Sequence, residues 1–219
     1  MKYPHFLFVA FFLCLSSSAA IAQNNHSIHV IIAVDRSSSL YVSTDTGTDD
    51  GYTSHAEILV TAFQSTLSGL IFACRPLTVS YFAWGTQPND LQLYDLHDLE
   101  SIENLTHAVT IDIMSGPIGN TNHLPAIFAA VEQAEQVSAD VTHIVFITDE
   151  RGEPQQTVPM SVDVGLTKIS IRDPWARDFL VNKFLPGIGV AQHADSTNEL
   201  EQILTNVFDS LPQFACMLG

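Results

Sequence analysis

The stretch Ser27-Ile-His-Val-Ile-Ile-Ala-Val-Asp-Arg-Ser-Ser-Ser39 constrains the fold more than any other part of the chain. The run from Ile28 to Val34, rich in β-branched residues, has the pattern of a strand buried on both faces. It ends in Asp35, Ser37 and Ser39, alternate positions of a D-x-S-x-S pattern. A carboxylate and two hydroxyls therefore stand where a buried strand runs out and the chain turns toward a helix. In open α/β sheets, ligands bind beyond the carboxyl ends of the strands, where strand order reverses. Small neutral oxygens beside one carboxylate suit a hard divalent cation such as Mg²⁺. The same residues also describe a Ser-rich turn in which side-chain oxygens satisfy backbone N–H groups. Other segments decide between the two.

Gly119-Asn-Thr121 sets a hydroxyl just before a helical pattern, and Thr142-His-Ile-Val-Phe-Ile-Thr-Asp149 is a second buried strand ending in a carboxylate. With these in place the sequence resembles the von Willebrand factor type A (vWA) domain and its metal-ion-dependent adhesion site. That site combines D-x-S-x-S, a distant Thr and a distant Asp after a strand. The matching positions are Asp35, Ser37, Ser39, Thr121 and Asp149, in the family's order, and the resemblance covers roughly residues 27–212. It implies a three-layer, Rossmann-like α/β fold. The central sheet would be mostly parallel, with one short antiparallel edge strand and helices on both faces. It also implies a bound Mg²⁺, with Mn²⁺ or Ca²⁺ as substitutes. Ser37 and Ser39 would ligate directly, and Thr121, Asp35 and Asp149 directly or through water. Glu150 stands where many vWA domains have Gly.

Residues 1–22 have the pattern of a signal peptide: Lys2, an apolar stretch from Phe6 to Leu15, and Ala20-Ile-Ala22 before the cut. The mature chain, residues 23–219, is expected to be exported, periplasmic or secreted, as a single domain without a stable membrane span. The formal net charge of −16 becomes −17 once Lys2 is removed. Such a surface argues against nucleic acid as a partner. Cys74 and Cys216 are the two cysteines left after cleavage, and an even pair in an oxidising compartment suggests one disulfide. The vWA resemblance is compatible with that bridge, since the first and last helices of the fold can lie near each other.

Along the chain, Tyr41 to Gly51 is a polar loop carrying Asp45, Asp49 and Asp50. Leu59, Phe63, Leu67, Leu70 and Ile71 give a helix over 55–72, and Leu77 to Trp84 a strand. Leu91 to Tyr94 alternates as an edge strand, and a modest helix runs from Leu99 toward Ala108. Asn122 is placed to cap a helix burying Leu124, Ile127, Phe128, Val131 and Ala134. Leu166 to Ile171 alternates as a strand, and Asp173-Pro174 starts a helix. A short strand is expected near Val190. Ser196-Thr-Asn-Glu199 is a capping box opening a final amphipathic helix.

The resemblance implies a binding module, not an enzyme. Its cation would keep one position open for a protein ligand, whose acidic side chain would complete the coordination. G-x-S-x-G, P-loop, G-x-G-x-x-G and helical zinc-type His pairs are absent. The enzymatic alternative is a metal-assisted hydrolase with Glu150 or His123 as base. The third reading is a structural module with a silent metal site.

Overall fold

The computed structural model describes residues 27–45, 52–70, 77–154 and 164–211. The expected signal peptide, Asp49 and Asp50, and both cysteines of the expected disulfide lie outside these residues. The elements are β1 (Ile28–Asp35), a 3₁₀ turn (Ser38–Tyr41), β2 (Ser43–Asp45), β3 (Tyr52–Ser54), α1 (His55–Gly69), β4 (Leu77–Trp84), β5 (Gln92–Leu96) and α2 (Leu99–Met114). They continue with α3 (His123–Gln136), β6 (Val141–Thr148), β7 (Val164–Ile171), α4 (Pro174–Asn182), β8 (Val190–Ala194) and α5 (Thr197–Ser210).

A six-stranded sheet runs in the order β5-β4-β1-β6-β7-β8, parallel except for the antiparallel β4–β5 pair at one edge. This is the expected architecture, three layers with helices on both faces. β1 is central because every one of its eight residues is buried, as its apolar run requires. Alternation along it splits the core. Val30, Ile32 and Val34 pack with α1, α2 and α5 on one face, and Ile31 and Ala33 with α3 and α4 on the other. Strand order reverses at β1, with β4 on one side and β6 on the other, so Asp35 and Asp149 emerge together at the switch point.

Several local expectations are corrected. α1 runs to Gly69 with Leu70 as its C-cap, and residues 71 and 72 of the expected helix lie outside the described residues. α2 continues past Ala108 to Met114, because Val109 and Ile113 extend its buried face. The polar loop after Tyr41 contains an antiparallel pair, Ser43 opposite Ser54 through Asp45 opposite Tyr52. On α3, Leu124 and Phe128 are 39% and 42% exposed, whereas Ala126 and Ala130 are buried. Small residues let α3 approach a sheet face already filled by Phe82, Trp84 and Phe146. Asn122 precedes α3 without a side-chain capping bond. Ser196 accepts from the Glu199 N–H, but Glu199 reaches back to the Asp195 N–H, so the box is displaced by one residue. Asp173 caps α4 by accepting from the Trp175 N–H, with Pro174 at the first helical position, as the sequence implies.

Candidate metal centre

Asp35 ends β1 and Asp149 follows β6 directly, and both are buried. The segment after β1 turns back through the 3₁₀ turn, which brings Ser37 and Ser39 over the strand ends. Ser39 Oγ donates to Asp149 Oδ1 at 2.8 Å, and the two serine hydroxyls are 2.9 Å apart. Ser39 has one proton and gives it to Asp149, so Ser37 donates to Ser39. The Ser37 N–H closes the loop on Asp35 Oδ1 at 2.9 Å. Four of the five expected residues, Asp35, Ser37, Ser39 and Asp149, thus form one hydrogen-bonded string.

Thr121 is held differently. The loop that carries it is anchored to the end of β1: the Ile118 N–H donates to the Arg36 carbonyl at 2.9 Å, and the Asn122 N–H to the Gly85 carbonyl at 3.0 Å. Gly85 is required there, since a Cβ would stand 2.9 Å from the Ile118 carbonyl group. The Thr121 hydroxyl donates to the Glu150 carboxylate in a short contact. The structure therefore joins the fifth residue to the site's edge through the residue beside Asp149.

Three residues that sequence reading passed over complete the arrangement. Thr148 donates to Asp35 Oδ2 at 2.6 Å. Its proton being committed, Thr148 Oγ1 accepts from the Glu150 N–H at 3.1 Å and from His123 Nε2 at 3.2 Å. His123 consequently carries its proton on Nε2, and its buried Nδ1 finds no hydrogen-bond partner among the described residues. Its ring lies among Trp84, Phe146, Phe179 and Phe184, with centroids 5.1–6.2 Å away, and burial pushes its pKa down to about 4. His55, the first residue of α1, holds Asp149 Oδ2 at 2.8 Å through Nδ1. Arg36, the unspecified second position of the D-x-S-x-S pattern, donates to the Asp112 carboxylate and through Nε to the Gly116 carbonyl at 3.0 Å. No motif marks Thr148, His55 or Arg36.

The donor set suits a hard cation. Among the described residues no three His, Cys, Asp or Glu side chains converge, so an ion here would depend on hydroxyls as well as the two carboxylates. Burial, together with the charge of Asp149, pushes Asp35 up to about 7 against the opposing Thr148 hydrogen bond. The two buried carboxylates sit beside neutral oxygens and the His55 ring, and a divalent ion would balance their charge. Asp35, Ser37, Ser39 and Asp149 would hold it, with Thr121 at the rim.

No protein-family model matches the chain, and no curated protein does. Solved structures do. The PilB minor pilin from Streptococcus sanguinis superposes with a TM-score of 0.61 at 11% identity, covering 85% of this chain and 61% of that one. The pilus adhesin SpaC from Lactobacillus rhamnosus GG, in its open conformation, gives 0.60 at 10% identity over 85% of this chain and 30% of that one. A von Willebrand factor type A protein from Catenulispora acidiphila gives 0.55 at 13% identity over 84% and 42%. The chain thus spans less than two thirds of each of these proteins. At such identities the likeness speaks for the fold, which is vWA-like.

Proposed function

We propose that this protein is an exported binding module that holds a divalent cation, Mg²⁺ by preference, and uses it to grip a protein or adhesive ligand. The observation that carries the reading is the string Ser37–Ser39–Asp149, closed on Asp35 by the Ser37 N–H, at the switch point of a vWA-like sheet. Two carboxylates only balance a divalent ion, and the remaining donors are neutral. An oxygen group from a partner, a carboxylate in the reading the resemblance implies, would complete the coordination. The names of PilB and SpaC, a minor pilin and a pilus adhesin on the same fold, support an adhesive role outside the cytoplasm. Residues 1–22 support export. The binding reading is preferred to a metal-assisted hydrolase because His123 is buried in the core and Glu150 is already committed to the Thr121 hydroxyl. His123 also donates to Thr148.

Calorimetric titration of the purified protein with Mg²⁺ and Mn²⁺ tests this. One site is expected, abolished by Asp149→Ala and by Asp35→Ala. Thr121→Ala, at the rim, is expected to weaken binding by about 10–100-fold, the range found for groups that support a metal's ligands. A wild-type chain that binds neither ion, or binding indifferent to Asp149→Ala, would refute the assignment.

A further inference from the structure

His55 is not a residue that a cation would touch, yet it is built into the site. Ser54 caps α1 in a reciprocal capping box with Glu57, which fixes the helix start and aims the His55 ring at Asp149. The ring is 7% exposed, and its Nδ1 lies 2.8 Å from Asp149 Oδ2. An ionised carboxylate only accepts, so Nδ1 carries the proton whichever form the ring takes. Its buried Nε2 has no partner, so Asp149 is the ring's one polar contact among the described residues. The other Asp149 oxygen, Oδ1, faces Ser39.

Asp35 is restrained in the same way, with Oδ1 on the Ser37 N–H and Oδ2 on the Thr148 hydroxyl. A carboxylate grips an ion through both oxygens only when both are free to face it. Ca²⁺ takes six to eight oxygens and readily accepts such two-oxygen contacts, whereas Mg²⁺ wants near-octahedral geometry, single-oxygen carboxylates and retained waters. We propose that His55 is a specificity-determining residue: by holding Oδ2 it confines Asp149 to one-oxygen ligation and so favours Mg²⁺ and Mn²⁺ over Ca²⁺. The proposal rests on the cation site described above and names what selects its ion. His55 acts through Asp149, as a positioning residue.

The test is calorimetric titration at one fixed pH with MgCl₂, MnCl₂ and CaCl₂. The chains compared are the wild type, His55→Leu, His55→Ala, His55→Asn and Asp149→Ala. Leu and Ala remove the donor, one keeping bulk and one not, so that the failure of either to fold leaves the other. The Asn amide N–H₂ sits near the place of Nδ1 and restores a donor. The wild type is expected to prefer Mg²⁺ and Mn²⁺. Both donor-free variants should shift the ratio of Ca²⁺ to Mg²⁺ dissociation constants toward Ca²⁺, as expected when a carboxylate becomes free to bind through both oxygens. His55→Asn should keep the wild-type ratio, a rescue that a merely space-filling role would not give. An unchanged ratio in Leu and Ala, with Asp149→Ala still abolishing binding, overturns the role of His55 and leaves the cation site standing. Absence of binding in the wild type, or binding that survives Asp149→Ala, overturns both.

Discussion

Arg36→Ala is expected to lower the unfolding free energy by about 1–3 kcal/mol, between the worth of a surface ion pair and the cost of breaking a fully buried one from one side, because Asp112 is partly exposed. Arg36 is 4% exposed, and its guanidinium spans the Asp112 carboxylate on α2 and the Gly116 carbonyl just beyond it. Tyr81 donates to the other Asp112 oxygen at 2.8 Å, and Asn89 donates to the oxygen that Arg36 holds, at 3.3 Å. Without the guanidinium, Asp112 keeps only neutral donors and the Gly116 carbonyl loses its side-chain partner. Urea unfolding of Arg36→Ala, Asp112→Asn and the double variant measures the coupling. The double variant should cost less than the sum of the two single ones. A loss under about 1 kcal/mol for Arg36→Ala, the level of a surface pair, would show that the network contributes little. Arg36→Lys should also be destabilised, because an ammonium cannot bridge both acceptors as the planar fork does. The loop fixed by this network leads to Thr121, so cation affinity should fall in the same variants.

Acid is expected to act on the folded chain through His29, with the sign set by its burial. His29 is fully buried on β1, bonded at 2.7 Å to Ser80, whose hydroxyl also accepts from Gln133 on α3. Burial lowers its pKa from 6.5 to about 4. As pH falls below 6.5 the unfolded chain takes up this proton before the folded one. The ring's contribution is therefore complete above pH 6.5 and is lost as pH falls toward 4. Between pH 7 and pH 4.5 the loss amounts to about 2–3 kcal/mol, at 1.36 kcal/mol per pKa unit. Asp35 runs the other way. Its pKa is raised to about 7, so protonation over the same range relieves a buried charge, and the wild-type profile alone shows only the balance. Comparison with His29→Gln, which keeps an amide for Ser80 and cannot take up a proton, isolates the ring. Wild-type stability should fall by about 2–3 kcal/mol more than the variant's across that pH range. Equal losses would mean that His29 is protonated in the folded chain without penalty.

The two buried strands and the carboxylates at their ends were legible because burial on both faces leaves a continuous apolar run, and a polar residue that ends such a run stands out. Thr148, His55 and Arg36 were not legible. Each contributes through a contact more than 70 residues away in sequence, and locally they read as a strand residue, a helix start and a variable position. On α3 the expected face is buried at Ile127, Val131 and Ala134 but not at Leu124 and Phe128, for a related reason. Helical spacing admits both the stripe with Leu124 and Phe128 and the stripe with Ala126 and Ala130. The aromatic residues of the opposing strands chose the smaller side chains. Thr121 lies in the loop before α3, and its hydroxyl's bond to Glu150 depends on the departure from Gly at that position.

The direction of the first strand and last helix sets both ends of the described residues against the pole opposite the candidate site. β1 starts level with Leu77 and Val141, at the pole opposite Asp35. β8 ends beside Ile171, at the site's pole, and α5 starts three residues later. Its 14 residues return about 21 Å at 1.5 Å per residue, so Leu211 comes back to the pole from which β1 sets out. Chain leaving Ser27 and chain leaving Leu211 therefore depart from the same end. A label or fused reporter placed at either end of the described residues would therefore sit at the pole opposite the switch point, away from whatever the site meets.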